Sequence, residues 1–234
     1  MQLSSEDLSY GDSLHFLFLS LIDISAIAIN LILIAAIILS TPPILKNYSV
    51  LLLLIAILDC NAALMSLLST VIIENMDGAV VYVYVGPCRL IHAELCYAAL
   101  AIHVELIGES CVLLLISFSF RLWSFSSTLS TGTRTDNRAK LFFICFIATI
   151  PAVIAMICFS NSPSPPPQHL LEHPDLKGRL FSVFNMTATH ILSKENILPR
   201  VSIGYVMFVY LTASPILFVL RRRLLRKIQS LITS

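Results

Sequence analysis

Five long apolar stretches alternate with shorter polar ones along the 234 residues, over 14–40, 49–73, 90–122, 141–159 and 201–220. Each is long enough to cross a hydrocarbon core, which takes about 20 apolar residues in helix. The pattern predicts an all-α fold: a polytopic transmembrane helix bundle of five spans, forming a single transmembrane domain with a long loop over 160–200 and a tail over 221–234. Pro42 and Pro43 end the first span in a short turn. Between the second and third spans, Val and Tyr alternate over 80–85. That predicts a short strand or extended piece at the interface, with Tyr82 and Tyr84 as an aromatic belt the alternative. The NSPSPPPQHLLEHPD run of the long loop predicts extended or disordered chain. Pro151 and Pro215 fall inside spans, where a plain kink and a pocket-shaping bulge are both open.

Composition sharpens this picture. Hydrophobic residues make up 57% and charged residues 12%, against about 45–50% and about 25% in soluble domains. A net charge of +1 argues against a nucleic-acid partner and leaves the lipid bilayer as the surroundings. Glu6, Asp7 and Asp12 precede the first span with no Lys or Arg. A cleaved signal needs a basic start, so the first span reads as a retained helix.

Basic residues set the expected orientation. With the N-terminus outside, the inner segments hold Lys46, Arg121, Arg134, Arg138, Lys140, Arg221, Arg222, Arg223, Arg226 and Lys227, ten of the fifteen Lys and Arg. The predicted topology is N-terminus outside and C-terminus inside. Asn185-Met186-Thr187 then lies in the outer loop as a glycosylation sequon at Asn185, whereas the sequon at Asn47 falls inside and is set aside.

There is no Gly-rich phosphate loop and no GxSxG, HExxH or Walker pattern. No enzyme chemistry and no cofactor are expected. Of the six cysteines, Cys60, Cys96, Cys111 and Cys145 read as small hydrophobes within spans. Cys88 and Cys158 fall at the outer ends of the third and fourth spans, where a disulfide between them and a pair of unlinked thiols are both open.

Charged groups inside a bilayer are costly and so point to function. Asp23 and Asn30 lie in the first span, and Asp59 with Asn61 midway along the second. The third span carries His92, Glu94, His103, Glu105 and Glu109. At about 100° per residue, Glu94, Glu105 and Glu109 share one stripe and His92 and His103 another, nearly opposite. Such a helix belongs at the centre of a bundle, one stripe facing a cavity and the other a neighbouring helix. The glutamates read as protonated hydrogen-bonding groups between helices, as the site of a cationic or proton-donating ligand, or as an ion path. The histidines lack a third ligand at metal spacing, so no metal is expected.

Several short motifs in order resemble nematode serpentine chemoreceptors, most nearly the class delta (Srd) group. They are Asn30 in the first span, NYSVLLLLIAILD ending at Asp59, GPC at 86–88 followed by Cys96-Tyr97, SFSFR ending at Arg121, and Pro215 followed by RRRLLRK. The resemblance covers about 14–230 and implies a seven-helix, G-protein-coupled receptor fold of which five helices are present, truncated or incomplete before helices 6 and 7. It departs from the rhodopsin-like pattern at Phe120, where an acid would precede the arginine.

What the resemblance implies is chemosensory detection of an odorant or other small molecule, coupled to a heterotrimeric G protein, at the plasma membrane of a sensory neuron or its cilium. Cys96, Tyr97, His103 and Glu105 would face the ligand. Asn30, Asp59 and Glu109 would form a polar network in mid-bundle, and Arg121, Arg221, Arg222 and Arg223 would face the G protein. The alternative reading is an ion or proton transporter or channel subunit that uses the glutamate stripe.

Overall fold

The computed structural model describes residues 10–42, 46–76, 79–131, 138–160, 186–190 and 198–232. Five helices carry the fold: α1 (Tyr10–Ser40), α2 (Lys46–Ser69), α3 (Ala93–Thr131), α4 (Arg138–Ser160) and α5 (Leu198–Ile232). A three-stranded antiparallel sheet adds β1 (Val71–Met76), β2 (Ala79–Tyr84) and β3 (Met186–His190), in the order β1-β2-β3.

Four helices contain stretches long and apolar enough to cross a membrane: Ser13–Ser40, Tyr48–Ser69, Glu94–Leu122 and Gly204–Arg226. The apolar stretch of α4, Phe143–Phe159, is shorter and sits at the lower limit of about 17 residues for a span. Polarity is inverted relative to a soluble core. Leu14, Leu17, Phe18, Ile32, Phe146 and Leu211 are exposed, while Asp23, Glu105, Glu109, Ser110 and Ser117 are buried. That is the arrangement of a bundle whose solvent is hydrocarbon.

Helix α3 is the hub. It packs on α2, α4 and α5 and also touches the turn before it and β3, while α1 packs on α2. At about 1.5 Å per residue its 39 residues run about 58 Å, longer than the hydrocarbon core of about 30 Å, and its apolar span, Glu94–Leu122, ends nine residues before the helix does. Two apolar clusters pin it. At its N-terminal end Tyr82, Tyr84, Cys88, Cys96, Tyr97, Leu100 and Phe159 pack together. Deeper, Leu113 packs with Leu51, Ile55 and Cys145.

The second span is shorter than its sequence suggests. Apolar residues continue to Ile73, but the helix stops at Ser69. Ser69 Oγ bonds Met65 O at 2.8 Å, and Thr70 Oγ1 bonds Leu67 O at 3.1 Å. Hydroxyls that bond back to the preceding turn compete with the helical ladder, and Val71–Met76 pairs instead with β2. The register joins Met76 to Ala79, so two residues, Asp77-Gly78, link the strands; they lie outside the described residues. β2 is the central strand, and Val81 to Tyr84 are buried on both faces. Tyr82 and Tyr84 are therefore core residues and not an aromatic belt.

Gly86 lies where the chain leaves β2 and crosses the end of α2. Val85 N and Gly86 N both donate to Thr70 O, at 2.9 and 3.3 Å. A Cβ on Gly86 would collide with Leu68 O and lie 2.7 Å from the carbonyl carbon of Ser69. The constraint is close backbone approach, since φ is an ordinary −72°.

α4 and α5 run through Pro151 and Pro215 without interruption. α5 continues to Ile232, so the basic run from Arg221 is helical and not a separate tail. The Pro-rich half of the long loop lies outside the described residues, as does Asn185; Met186 and Thr187 of its sequon open β3.

Candidate functional site

Three polar clusters surround α3, each against different neighbours. The first faces α2 and α1. His103 Nδ1 lies 2.8 Å from Ala62 O of α2. Asp23 of α1 is buried and hydrogen-bonded by Ser66 of α2, with His103 near enough to interact electrostatically. His103 is thus occupied by an interhelical contact and does not face a cavity.

The second cluster is the bond from Ser110 Oγ to Asp59 Oδ1, at 2.6 Å. It joins α3 to α2 midway along both. Of the residues expected in a mid-bundle network, only Asp59 reaches α3 in this way. Asn30 gives its amide to Ala26 O of its own helix at 3.0 Å, and Glu109 is turned toward α4. The network of Asn30, Asp59 and Glu109 is not assembled. About 100° of helix separates Glu109 from Ser110, the residue that meets Asp59.

The third cluster faces α4. Glu105 and Glu109, one turn apart on α3, line a cavity of about 180 Å³ with Ile102, Leu106, Thr149, Ala152, Val153 and Met156. Both side chains are more than nine-tenths buried, with 5% and 6% of their surface exposed. All four carboxyl oxygens lack a hydrogen-bond partner among the described residues. Thr149 is already committed, its hydroxyl donating to Phe146 O at 2.7 Å. The two-stripe reading of the third span therefore holds over this stretch, with His103 against a helix and Glu105 and Glu109 on a cavity. Glu94 departs from it: its side chain is 83% exposed at the start of α3, 3.9 Å from the His92 ring. His92 Nδ1 also accepts the Glu94 backbone N–H at 3.3 Å, capping the helix start.

Cys96 and Tyr97 lie elsewhere than expected. Cys96 forms a disulfide with Cys88 and is fully buried. The Cys88–Cys158 disulfide that the sequence leaves open is not formed; Cys88 is bonded to Cys96. The reason is local. The single turn Pro87–Leu90 brings Cys88 over the first turn of α3, with Cα atoms 5.2 Å apart, within bridging range. The C-terminal end of α4 is joined to this region through the neighbouring residue, Phe159, which stacks on Tyr97 at 4.9 Å. Tyr82 meets Tyr97 edge-on at 5.7 Å. Cys96 and Tyr97 thus form a plug and do not line the cavity.

At the opposite end of α3, the Arg121 guanidinium lies 3.8 Å from the centre of the Tyr48 ring and 5.8 Å from that of Phe118. With Phe120 in place of an acid, the arginine is held by aromatic faces. Arg221, Arg222 and Arg223 are exposed on α5. Ser110, Tyr48, Thr149 and Met156 were not foreseen as site residues, and single-sequence periodicity offers no signal for a partner on another helix.

The comparisons with known proteins agree with one another. The sequence model of the family described as serpentine type 7TM GPCR chemoreceptor Srd matches residues 16–234. Serpentine receptor class delta-1 of Caenorhabditis elegans is 33% identical over 133 residues, which is 57% of this chain and 34% of that relative. The aligned region thus spans about a third of the curated relative's length. No solved structure matches the chain. The matches are to receptors and lend no support to the transporter alternative. With nearly its whole length matched, the chain belongs to the Srd family of serpentine seven-transmembrane chemoreceptors.

Proposed function

We propose that the protein is a chemosensory receptor that detects a small molecule between its helices and signals to a heterotrimeric G protein, at the plasma membrane of a sensory neuron. The observation that carries this reading is the division of labour along α3 in a chain of this family. Its middle buries two carboxyls that lack a hydrogen-bond partner among the described residues, on residues beside a small cavity, and its far end presents Arg121 beside the ring of Tyr48. A ligand that binds one arrangement of the helices better than another shifts the population toward it.

The same reading sets the orientation. Ten of fifteen basic residues lie at the Arg121 end or in its connecting segments, which favours the cytoplasmic side. The Cys88–Cys96 bridge lies at the other end, which favours an oxidising, extracellular setting. The N-terminus is then outside, Asn185 is available for glycosylation, and Arg121 with Arg221, Arg222 and Arg223 faces the G protein.

The test is heterologous expression of the gene's full reading frame with a promiscuous Gα subunit and a calcium reporter, scanned with a small-molecule panel. The expected result is a saturable response that Arg121→Ala abolishes without loss of surface protein. A well-expressed receptor that responds to nothing, or an Arg121→Ala variant with an undiminished response, contradicts the proposal.

A further inference from the structure

The end of α5 carries more positive charge than a span needs to fix its direction. Between Arg200 and Arg221 the chain runs 20 residues, 201–220, without a charge. That is about 30 Å of helix, the thickness of a hydrocarbon core, so Arg221 stands where hydrocarbon meets headgroups. From there five of seven positions are basic: Arg221, Arg222, Arg223, Arg226 and Lys227. At the same end of the bundle, Lys46 of α2, Arg121 of α3, and Arg138 with Lys140 of α4 supply one or two cations to each helix. α5 has no Asp or Glu anywhere in its 35 residues.

Arg221, Arg222, Arg223 and Arg226 are all exposed, and none has an ion pair or hydrogen bond with another described residue. Their arrangement discriminates between partners. Successive helical residues point about 100° apart, so Arg221 to Arg223 spread over about 200° of the helix. A protein docking on one side reaches part of such an arc, whereas the headgroup layer surrounds the helix and reaches all of it. Diverging charges also suit several singly charged headgroups. One headgroup with many phosphates needs its cations gathered on one side. The hydrocarbon-facing surface of α5 is continuous with the arginines. Phe208 and Val219 are exposed and lie eighteen and seven residues before Arg226, and exposed Leu211 lies eleven before Arg222. Those spacings return to the same side of a helix.

We propose that the arc from Arg221 to Arg226 binds anionic phospholipids of the phosphatidylserine kind, several at a time. Each planar guanidinium gives two parallel N–H bonds to the phosphate or carboxylate of a headgroup. The acyl chains lie along Phe208, Leu211 and Val219. A cluster of this density directly beyond a span is worth about fivefold in lipid preference for each cation, and the bound headgroups fix the depth of α5 in the membrane. The inference goes beyond the proposed function and takes from it only that this end is cytoplasmic, where the leaflet is anionic.

The experiment uses the whole chain in an uncharged detergent, read by native mass spectrometry. It is titrated with phosphatidylserine or with phosphatidylcholine of the same acyl chains. More than one phosphatidylserine is expected to be retained, at least tenfold more tightly than phosphatidylcholine. The triple substitution Arg222→Gln, Arg223→Gln and Arg226→Gln is expected to weaken phosphatidylserine at least tenfold and to leave phosphatidylcholine unchanged. If that variant fails to fold, the parent chain decides the matter: phosphatidylserine with a photoreactive acyl chain is expected to cross-link to α5. Equal affinity for the two lipids, an unchanged triple variant, or cross-links confined to other helices would each overturn the proposal. So would one phosphatidylinositol bisphosphate held in place of several phosphatidylserines, or displacement of the lipid by soluble glycerophosphoserine, which would make the ligand a free anion. Signalling is not part of this readout. A chain that prefers phosphatidylserine without activating a G protein refutes the receptor reading alone, and a signalling receptor with no such preference refutes the lipid site alone.

Discussion

Reduction of the Cys88–Cys96 bridge should be felt well beyond the short loop it closes, two cysteines eight positions apart. Cross-linking a loop of that size removes about 2.5 kcal/mol of chain entropy from the unfolded ensemble. Both cysteines are fully buried in the cluster with Tyr82, Tyr84, Tyr97 and Phe159, so the bridge also fixes the turn that seats β2 against α3. For a chain of this size, about 1 kcal/mol moves the unfolding temperature by about 2–4 °C. Mild reductant should therefore lower the unfolding temperature of the detergent-solubilised protein by about 5–10 °C. A Cys158→Ala variant should show the same fall, because Cys158 takes no part in the bridge. Non-reducing peptide mapping should recover Cys88 linked to Cys96. A linked peptide joining Cys88 to Cys158, or a Cys158→Ala protein indifferent to reductant, would refute the reasoning.

Other outcomes follow from the same geometry. Replacing Ser110 by Ala and Asp59 by Asn, singly and together, should give a coupling of about 0.6–1.7 kcal/mol in a double-mutant cycle, the range for interhelical bonds in membranes; a coupling of zero would remove the 2.6 Å bond from the account. Gly86→Ala should cost about 1–3 kcal/mol of thermal stability through overpacking against Leu68 O and Ser69, whereas Gly204→Ala, which meets nothing within 4 Å, should cost none. Tyr48→Leu removes the ring under Arg121. On the proposed receptor reading, with the contact made only in the resting arrangement, a half-buried cation–π contact worth about 1–2 kcal/mol sets about 5–30-fold as the ceiling on the rise in basal nucleotide exchange when the arginine is freed. Tyr48→Phe should stay near the parent level, and a silent Tyr48→Leu would show that the contact does not restrain signalling.

Much of this architecture is legible in the sequence because a bilayer demands long apolar helices, and length alone betrays them. The periodicity of the third span goes further, placing His103 and the Glu105–Glu109 pair on opposite faces. It cannot say which helix each face meets, and so Ser110 as the partner of Asp59 and Tyr48 as the partner of Arg121 went unforeseen. The end of α2 is misread for a physical reason. Ile72 and Ile73 prolong the apolar run, but the Ser69-Thr70 hydroxyls and the Asp77-Gly78 link between alternating residues mark a hairpin. The alternation of Val and Tyr over 80–85 does announce β2, although not its burial on both faces. β3 has no such signal in its own sequence and exists by pairing with β2. The disulfide is illegible because the spacing of two cysteines says nothing of the 3₁₀ turn that brings them together.

The account's central claim is a receptor whose sensory end is outside and whose Arg121 end is inside. Labelling with a membrane-impermeant maleimide on intact cells tests it without knowledge of any ligand. Glu94→Cys, on an exposed side chain at the start of α3, should label on intact cells, with the labelling of the unsubstituted chain subtracted. Arg223→Cys, exposed on α5, should label only after permeabilisation. The reverse pattern would place Arg121 outside the cell and contradict the account.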